Sequence, residues 1–251
     1  MTDDDLLELL HDTADAVTEA LRTHEDWSLV GGERDDEYKH DVVADAAALE
    51  VLTKAPVGIL SEESGLRYPD RDVVVVIDPV DGSSNASHRL PWFATSLCAV
   101  DRDGPLAAVV KNQATGTRYA ALRGRGATVD GERIAPPTKQ KLSEAFVALS
   151  GMPPHHLGWR QYRALGASAL DMCAVANGTV DAFIDCTPRP AHGPWDYLGA
   201  LLVCHEAGAV VVDRYGEDLV VLDHTARRSP IAAATPELME QILRELHKKS
   251  E

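Results

Sequence analysis

Hydrophobic residues follow two spacings along the first half of the chain. Between residues 5 and 22 they lie three and four positions apart, which predicts an amphipathic helix. A second helix is predicted over 44–54, after a polar loop at 31–39. Short apolar runs then predict five strands, the last three forming a meander with glycine-bearing turns: 57–60, 73–77, 94–100, 106–110 and 117–122.

The second half of the chain alternates between strand and helix patterns. A polar stretch at 130–140, which contains Pro136-Pro137, predicts a boundary between an N-terminal α+β lobe (1–135) and a C-terminal α/β lobe (136–251). Thr235 and Pro236 are typical of a helix start and predict a final helix. The other predicted elements are strands at 146–149, 182–184, 209–212 and 231–234 and helices at 168–177 and 195–207.

Composition narrows the class of protein. The 251 residues are 45% hydrophobic and 25% charged, which is typical of a soluble globular protein. The net charge of −16 argues against a nucleic-acid partner. No apolar run approaches the roughly 20 residues that span a bilayer, and the acidic N-terminal segment is unlike a signal peptide. We therefore expect a cytoplasmic protein with no membrane partner.

The balance of basic residues adds one expectation. Arginine supplies 17 of the 24 basic residues, and acidic residues number 40. Excess acid with little lysine is halophilic-like and favours a high-salt cytoplasm, where negative charge keeps a protein in solution. An ordinary acidic protein is the alternative. The four cysteines are widely separated, so a thiolate zinc site is not predicted.

The segment Ile77 to Asn85 carries the strongest chemical pattern. Asp78 and Asp81 follow an apolar strand, with Pro79 between them and Gly82 after them. The next three residues, Ser-Ser-Asn, are good helix N-caps. Two carboxylates at a strand end beside a helix start are suited to holding a divalent cation next to a phosphate. The alternative is a solvated Asp-Pro turn.

Three other carboxylates occupy comparable positions. Glu62 follows a short strand, and Asp45 and Asp196 lie at predicted helix starts. Each alone is more often a helix cap than a ligand. Together, hard oxygen ligands without a His or Cys cluster favour Mg²⁺ or Mn²⁺ over Zn²⁺.

These motifs resemble those of the inositol monophosphatase family, the lithium-sensitive, metal-dependent sugar phosphatases. The run from Asp78 to Asn85 resembles its Asp-Pro-(Ile/Leu/Val)-Asp-Gly-(Thr/Ser)-x-Asn signature. Glu62-Glu63 resembles its Gly-Glu-Glu segment, with Ser61 replacing glycine, and Trp195-Asp196 followed by Ala200 resembles its second signature. The resemblance runs in order from about residue 39 to 208. It implies a layered α/β/α/β/α sandwich of the α+β class.

The resemblance also implies metal ligands. Glu62, Asp78 and the Val80 carbonyl would hold one Mg²⁺, and Asp78, Asp81 and Asp196 a second. Glu62 would touch a weaker third ion, so two or three Mg²⁺ are expected per site, with Mn²⁺ as a substitute. The bound ions would activate the attacking water. Lys39 is either a loop residue near the third ion or an ordinary surface lysine.

Catalytic and substrate contacts are implied in the same way. Glu62 is expected to be catalytic, and Ser83, at the usual threonine position, would orient the attacking water with Asp45. The Gly82 and Ser83 amides would cradle the phosphate. The substrate hydroxyls would be matched by the following residues: Asp81, Ser168, Asp185 and Asp196. Asp185 is shorter than the glutamate common in inositol-specific members, which leaves the sugar open.

Several functions are compatible with this resemblance. The first is a Mg²⁺-dependent phosphomonoesterase that hydrolyses a small polyol or sugar phosphate, as in archaeal-like inositol-1-phosphatases. Fructose-1,6-bisphosphatase is the alternative, followed by 3′-phosphoadenosine 5′-phosphate phosphatase and a non-catalytic metal-binding paralogue. The three-residue spacing from Asp78 to Asp81 does not fit an aspartyl-phosphate mechanism. A homodimer and inhibition by lithium are implied by the family.

Overall fold

The computed structural model describes residues 1–28, 38–135 and 138–248. Helix α1 (Asp3–Thr23) confirms the first predicted helix and begins with a capping box in which Thr2 and Asp5 satisfy each other's backbone amides. Helix α2 (Lys39–Leu52) begins five residues before the predicted start at 44. Of the predicted loop at 31–39, residues 31–37 lie outside the described residues, and Lys39 already belongs to α2.

The first sheet is formed by the strands that follow α2. Within the described residues it has the order β2-β1-β3-β4-β5-β6-β7-β8. All five predicted strands are present, whereas the short strands β2, β7 and β8 were missed by the sequence analysis. The strands are β1 (Gly58–Ser61), β2 (Gly65–Arg67), β3 (Val74–Asp81), β4 (Ala94–Asp101), β5 (Gly104–Asn112), β6 (Arg118–Leu122), β7 (Gly126–Val129) and β8 (Glu132–Arg133).

The second sheet contains the later strands. Its order among the described residues is β10-β9-β11-β13-β12. The predicted strands of this half are present, and β10 is an exposed edge strand that the sequence did not predict. The strands are β9 (Phe146–Ser150), β10 (Gln161–Arg163), β11 (Ala182–Asp185), β12 (Val210–Asp213) and β13 (Pro230–Ala233).

Four helices complete the described chain: α3 (Ser83–Ser87), α4 (Ser168–Ala176), α5 (Leu198–Ala207) and α6 (Pro236–Leu246). The predicted helix at 195–207 begins at Leu198, after a separate 3₁₀ turn at Pro194–Asp196. The final helix starts as predicted, since the Thr235 hydroxyl accepts from the Leu238 amide. None of the helices in the described residues is both long and apolar enough to cross a membrane.

Three hydrophobic clusters define the layers. Alternate residues of β3 face opposite sides, so Val75 and Ile77 pack against α1 and α2 while Val74 and Val76 face α4 and α5. The helices α4 and α5 also cover one face of the second sheet, and α6 covers the other. The order is helix, sheet, helix, sheet, helix, which confirms the layered α+β architecture. The boundary between residues 135 and 136 stays a prediction.

Candidate active site

The carboxyl end of β3 is buried and irregular. Every residue of β3 is buried, and its register with β4 shifts between Asp78 and Asp81. Asp78 Oδ1 accepts a hydrogen bond of 2.9 Å from the Val80 amide, which closes a local turn at the strand end. The irregularity therefore lies between the two aspartates, after the last regular pair of Asp78 with Ser96.

Parallel pairing brings a second carboxylate to this edge. Ser61 of β1 is paired with Ile77 of β3, and the Glu62 amide donates to the Ile77 carbonyl at 3.1 Å. Glu62 and Asp78 therefore leave neighbouring strands at the same end. Asp196 joins them from the 3₁₀ turn before α5, and single ligand atoms of the three carboxylates lie within 4.8 Å of one another.

Asp196 is held in place by backbone contacts. Its Oδ2 accepts a 2.7 Å hydrogen bond from the Gly193 amide. The Ser96 hydroxyl of β4 donates to the Trp195 carbonyl at 3.0 Å, which ties the 3₁₀ turn to the first sheet. The positions of the three carboxylates are thus set by strands β1 and β3 and by a 3₁₀ turn that is bonded to β4 of the same sheet.

The electrostatics of this group favour a cation. Burial, followed by repulsion from Asp196, raises the pKa of Glu62 well above its usual value. Burial and repulsion from Glu62 do the same to Asp78. One buried and two partly buried carboxylates at this spacing are costly in their charged form unless a cation compensates them. An all-oxygen donor set fits a hard divalent ion, so the residues fit the metal that the sequence predicts.

The chain as a whole matches a known family. Residues 3–251 match the sequence profile of the inositol monophosphatase family. This chain belongs to the inositol monophosphatase family. Members of the family hydrolyse phosphate monoesters, and this chain is a phosphatase of that type.

Individual relatives support the same assignment. The fructose-1,6-bisphosphatase/inositol-1-monophosphatase of Methanocaldococcus jannaschii is 31% identical over 211 residues, covering 81% of this chain and 82% of that protein. The protein of the same description from Methanothermobacter thermautotrophicus is 34% identical over 230 residues, covering 82% and 81%. A Pyrococcus horikoshii structure described as similar to inositol-1 monophosphatase has a TM-score of 0.82 at 25% identity and covers 98% of both chains.

In this phosphatase the partner of Ser83 differs from the predicted one. Ser83 Oγ lies 2.9 Å from Asp41 Oδ1 and 2.8 Å from the Val80 carbonyl oxygen. Asp45 instead accepts from Ser61 Oγ at 2.5 Å and from Ser64 Oγ at 3.3 Å. The described contact of Ser83 is thus with Asp41, one helical turn before Asp45, and the role of Asp45 in orienting the attacking water stays a prediction.

Asp81 is placed between the two halves of the phosphatase. Its carboxylate accepts from the Ser168 amide at 3.2 Å and from the Ala169 amide at 2.7 Å, at the start of α4. A carboxylate is stabilised there by the unpaired amides of the first helical turn. Burial, followed by repulsion from Asp196, nevertheless raises the pKa of Asp81. Its predicted contacts with metal and substrate stay predictions, as does that of the Ser168 side chain.

Gly82 makes the turn into α3 possible. Its φ of 89° lies in the left-handed region, and a Cβ there would come within 3.1 Å of both the Ala167 Cβ and the Gly166 carbonyl oxygen. Asn85 Nδ2 adds hydrogen bonds to the Trp92 and Leu165 carbonyls. The turn is thereby fixed against the segment before α4, and phosphate binding by the Gly82 and Ser83 amides stays a prediction.

The carboxylate of Asp185 is already hydrogen-bonded within the protein. It is fully buried, and its Oδ1 accepts from the amide and hydroxyl of Thr187 at 2.9 and 2.7 Å. His192 Nδ1 lies 3.5 Å from its Oδ2. Burial acts to raise the pKa of Asp185, but the contacts with His192 and Thr187 hold it below its usual value. Its predicted contact with substrate hydroxyls would require exchange of these bonds and stays a prediction.

Three further residues near the site were left open or not selected by the sequence analysis. Lys39 Nζ lies 2.5 Å from Asp26 Oδ2, so its described contact is a surface ion pair. Asp41 and His224 were missed. Asp41 could have been found from its i, i+4 relation to Asp45 on one helix face, whereas nothing in the sequence links His224 to Glu62.

Without metal, the phosphatase should lose stability as the pH rises. The folded chain keeps protons on Glu62 and Asp78 at pH values where the unfolded chain, with carboxyl pKa values of about 4, has lost them. The folded state then binds more protons, so the free energy of unfolding falls as pH rises above about 4. Scanning calorimetry of EDTA-treated protein should give a lower Tm at pH 8 than at pH 5.

Adding Mg²⁺ at pH 8 should restore most of that loss, since the cation compensates the same charges. The scans are compared at constant ionic strength, because self-repulsion of a chain with net charge −16 also grows with pH. An equal change in Tm with pH in the presence and absence of Mg²⁺ would contradict the expected coupling.

Proposed function

We propose that this phosphatase hydrolyses a small polyol or sugar phosphate, such as an inositol monophosphate, with Mg²⁺ as its cofactor. The observation that carries the proposal is the convergence of Glu62, Asp78 and Asp196 within 4.8 Å at one edge of the first sheet. The contact between Ser83 and Asp41 beside this edge supports it, since it supplies a hydroxyl and a carboxylate for handling a water molecule.

The metal would be held by the carboxylates and one carbonyl. The proposed ligands are Glu62, Asp78, the Val80 carbonyl, Asp81 and Asp196, for two or three Mg²⁺ with Mn²⁺ as a substitute. When bound, the ions would supply charge neutralisation at the phosphoryl group and a lowered pKa for a water molecule. The raised pKa values of Glu62 and Asp78 support this, because uncompensated charge is unfavourable there.

The residues of the chain supply positioning and proton transfer. The Ser83 hydroxyl donates its single proton to Asp41 or to the Val80 carbonyl and keeps lone pairs that can accept from a water. Asp41 accepts the proton that the water loses as its oxygen attacks phosphorus. The phosphorus–oxygen bond to the alcohol breaks in line, and the alcohol leaves with one proton from solvent. No bond from phosphorus to the protein forms.

A substrate panel tests the proposal. EDTA-treated protein is assayed for phosphate release from inositol-1-phosphate, fructose-1,6-bisphosphate and 3′-phosphoadenosine 5′-phosphate, with and without Mg²⁺. We expect release that requires Mg²⁺ and is inhibited by millimolar lithium. Absence of release from every ester, by a folded protein that holds Mg²⁺, would overturn the proposal in favour of a non-catalytic paralogue.

Fructose-1,6-bisphosphate is the second candidate substrate. The two archaeal relatives are each described as both a fructose-1,6-bisphosphatase and an inositol-1-monophosphatase. The ratio of kcat/KM for the bisphosphate to that for inositol-1-phosphate decides between them, because it compares transition-state binding of the two esters directly.

The proposal also covers the compartment, the oligomeric state and the salt tolerance of the enzyme. We infer a cytoplasmic homodimer that acts on free small molecules and tolerates high salt. The net charge of −16 supports the exclusion of nucleic acid and the tolerance of salt. Light scattering and activity measured across a range of KCl concentrations test these points.

A further inference from the structure

His224 bridges two of the carboxylate-bearing segments. It lies in the segment between β12 and β13 and is half-buried. Its Nε2 is 2.9 Å from the Glu62 carbonyl oxygen, and this nitrogen carries the proton because a carbonyl oxygen only accepts. Its ring packs on the ring of Trp195, with centroids 4.8 Å apart and planes tilted by 39°. One side chain thus touches the backbone of Glu62 and the residue before Asp196.

The Trp195 ring is confined from several directions. Trp195 is only 4% exposed, and a Cβ on Gly193 would lie 2.4 Å from its ring. Arg227 Cζ lies 5.2 Å from the ring centroid, and Arg227 Nη1 donates to the His224 carbonyl at 2.9 Å. A confined Trp195 fixes the backbone that presents Asp196.

Glu62 and Asp196 need such a link. They come from opposite halves of the chain, and their carboxylate oxygens lie within 4.8 Å of one another, so their negative charges repel. Metal affinity depends on how closely the ligands are held at their bound spacing, and groups that support ligands typically change affinity 10–100-fold when removed. A side chain that joins both segments restrains their separation.

We infer that His224 is a positioning residue that holds Glu62 and Asp196 at the spacing the cation requires and so sets the affinity of the site for divalent metal. The inference rests on the proposed function, because it concerns the same metal site. His224 is not itself a ligand. Its hydrogen bond and its ring contact act on different ligands, so each contributes separately.

Three variants separate these contributions. His224→Gln keeps a donor and loses the ring, His224→Phe keeps the ring and loses the donor, and His224→Ala loses both. Binding of Mn²⁺ to EDTA-treated protein is measured by isothermal titration calorimetry, without substrate. We expect the alanine variant to bind Mn²⁺ about tenfold or more weakly. The glutamine and phenylalanine variants should recover part of the affinity.

The kinetics provide a second readout. The Mg²⁺ concentration for half-maximal activity should rise in parallel with the Mn²⁺ dissociation constant, while kcat at saturating Mg²⁺ stays within about threefold of wild type. His156→Ala is the matched control, because His156 packs on Trp159 with centroids 4.6 Å apart and is exposed. That variant should bind Mn²⁺ like wild type.

The outcomes are distinct. Mn²⁺ affinities of the alanine, glutamine and phenylalanine variants within twofold of wild type would overturn the role of His224 and leave the phosphatase proposal standing. If the alanine variant does not fold, wild-type affinity in both other variants overturns the inference equally. Wild-type protein that binds no Mn²⁺ would overturn the metal site itself.

Discussion

Asp78→Asn should lower kcat by about a thousandfold, equivalent to about 4 kcal/mol of transition-state stabilisation. Asp78 lies at the centre of the carboxylate group, and asparagine keeps its shape while removing its charge. The same change should raise the Tm of the EDTA-treated protein at pH 8, because a buried charge with a raised pKa is removed. Phosphate-release kinetics and calorimetry measure the two effects.

A fall in kcat together with a rise in the Tm of the metal-free protein distinguishes a metal ligand from a residue that only stabilises the fold. Asp72→Asn is the matched control, since it makes the same chemical change at an exposed position just before β3. It should leave both quantities unchanged. Wild-type kcat in Asp78→Asn, or a large fall in its metal-free Tm, would contradict the proposed ligand role.

Asp41→Asn should lower kcat by about 10²- to 10⁴-fold, the range typical of a general base. Asp41 Oδ1 lies 2.9 Å from Ser83 Oγ, and asparagine cannot accept a proton from water at this position. KM should change little, because the carboxylate acts on the attacking water and not on the bound ester. Steady-state kinetics with saturating Mg²⁺ measure both parameters.

Asp45→Asn provides the comparison within one helix. Both carboxylates are buried on the same face of α2, but Asp45 contacts Ser61 and Ser64 and not Ser83. We expect a loss of kcat of at most about tenfold, from a small shift of the segment that carries Glu62. A larger loss in Asp45→Asn than in Asp41→Asn would return the catalytic role to Asp45.

The fold was predictable where its elements bury apolar residues. The spacing in α1 and the four consecutive valines before Asp78 gave correct helix and strand positions, because burial on one or both faces leaves a clear pattern. The strands β2 and β10 were missed because they are three residues long and largely exposed. Their pairing depends on neighbouring strands and leaves little trace in local sequence.

The convergence of Glu62, Asp78 and Asp196 was predictable from their motifs, but the hydrogen bonds around them were not. The contact between Asp41 and Ser83 was missed because of the helix boundary: a start at 44 places Asp45 in the first turn, whereas the start at Lys39 places Asp41 there. Asp41 Oδ2 accepts from the Tyr38 amide at 3.1 Å, which fixes its side chain toward Ser83. Boundaries depend on such capping bonds, which the apolar pattern does not report. The contact of His224 was not predictable because its partner, Glu62, is distant in sequence.

The packing of Gly82 on Gly166 and Ala167 has a consequence for folding during translation. A nascent chain that has emerged as far as the end of the first sheet already contains Glu62, Asp78 and Ser83. It still lacks the amides at Ser168 and Ala169 that receive Asp81, and it lacks Asp196. If Asp196 is a metal ligand as proposed, we expect hydrolytic activity to arise only after the chain has been made beyond this residue.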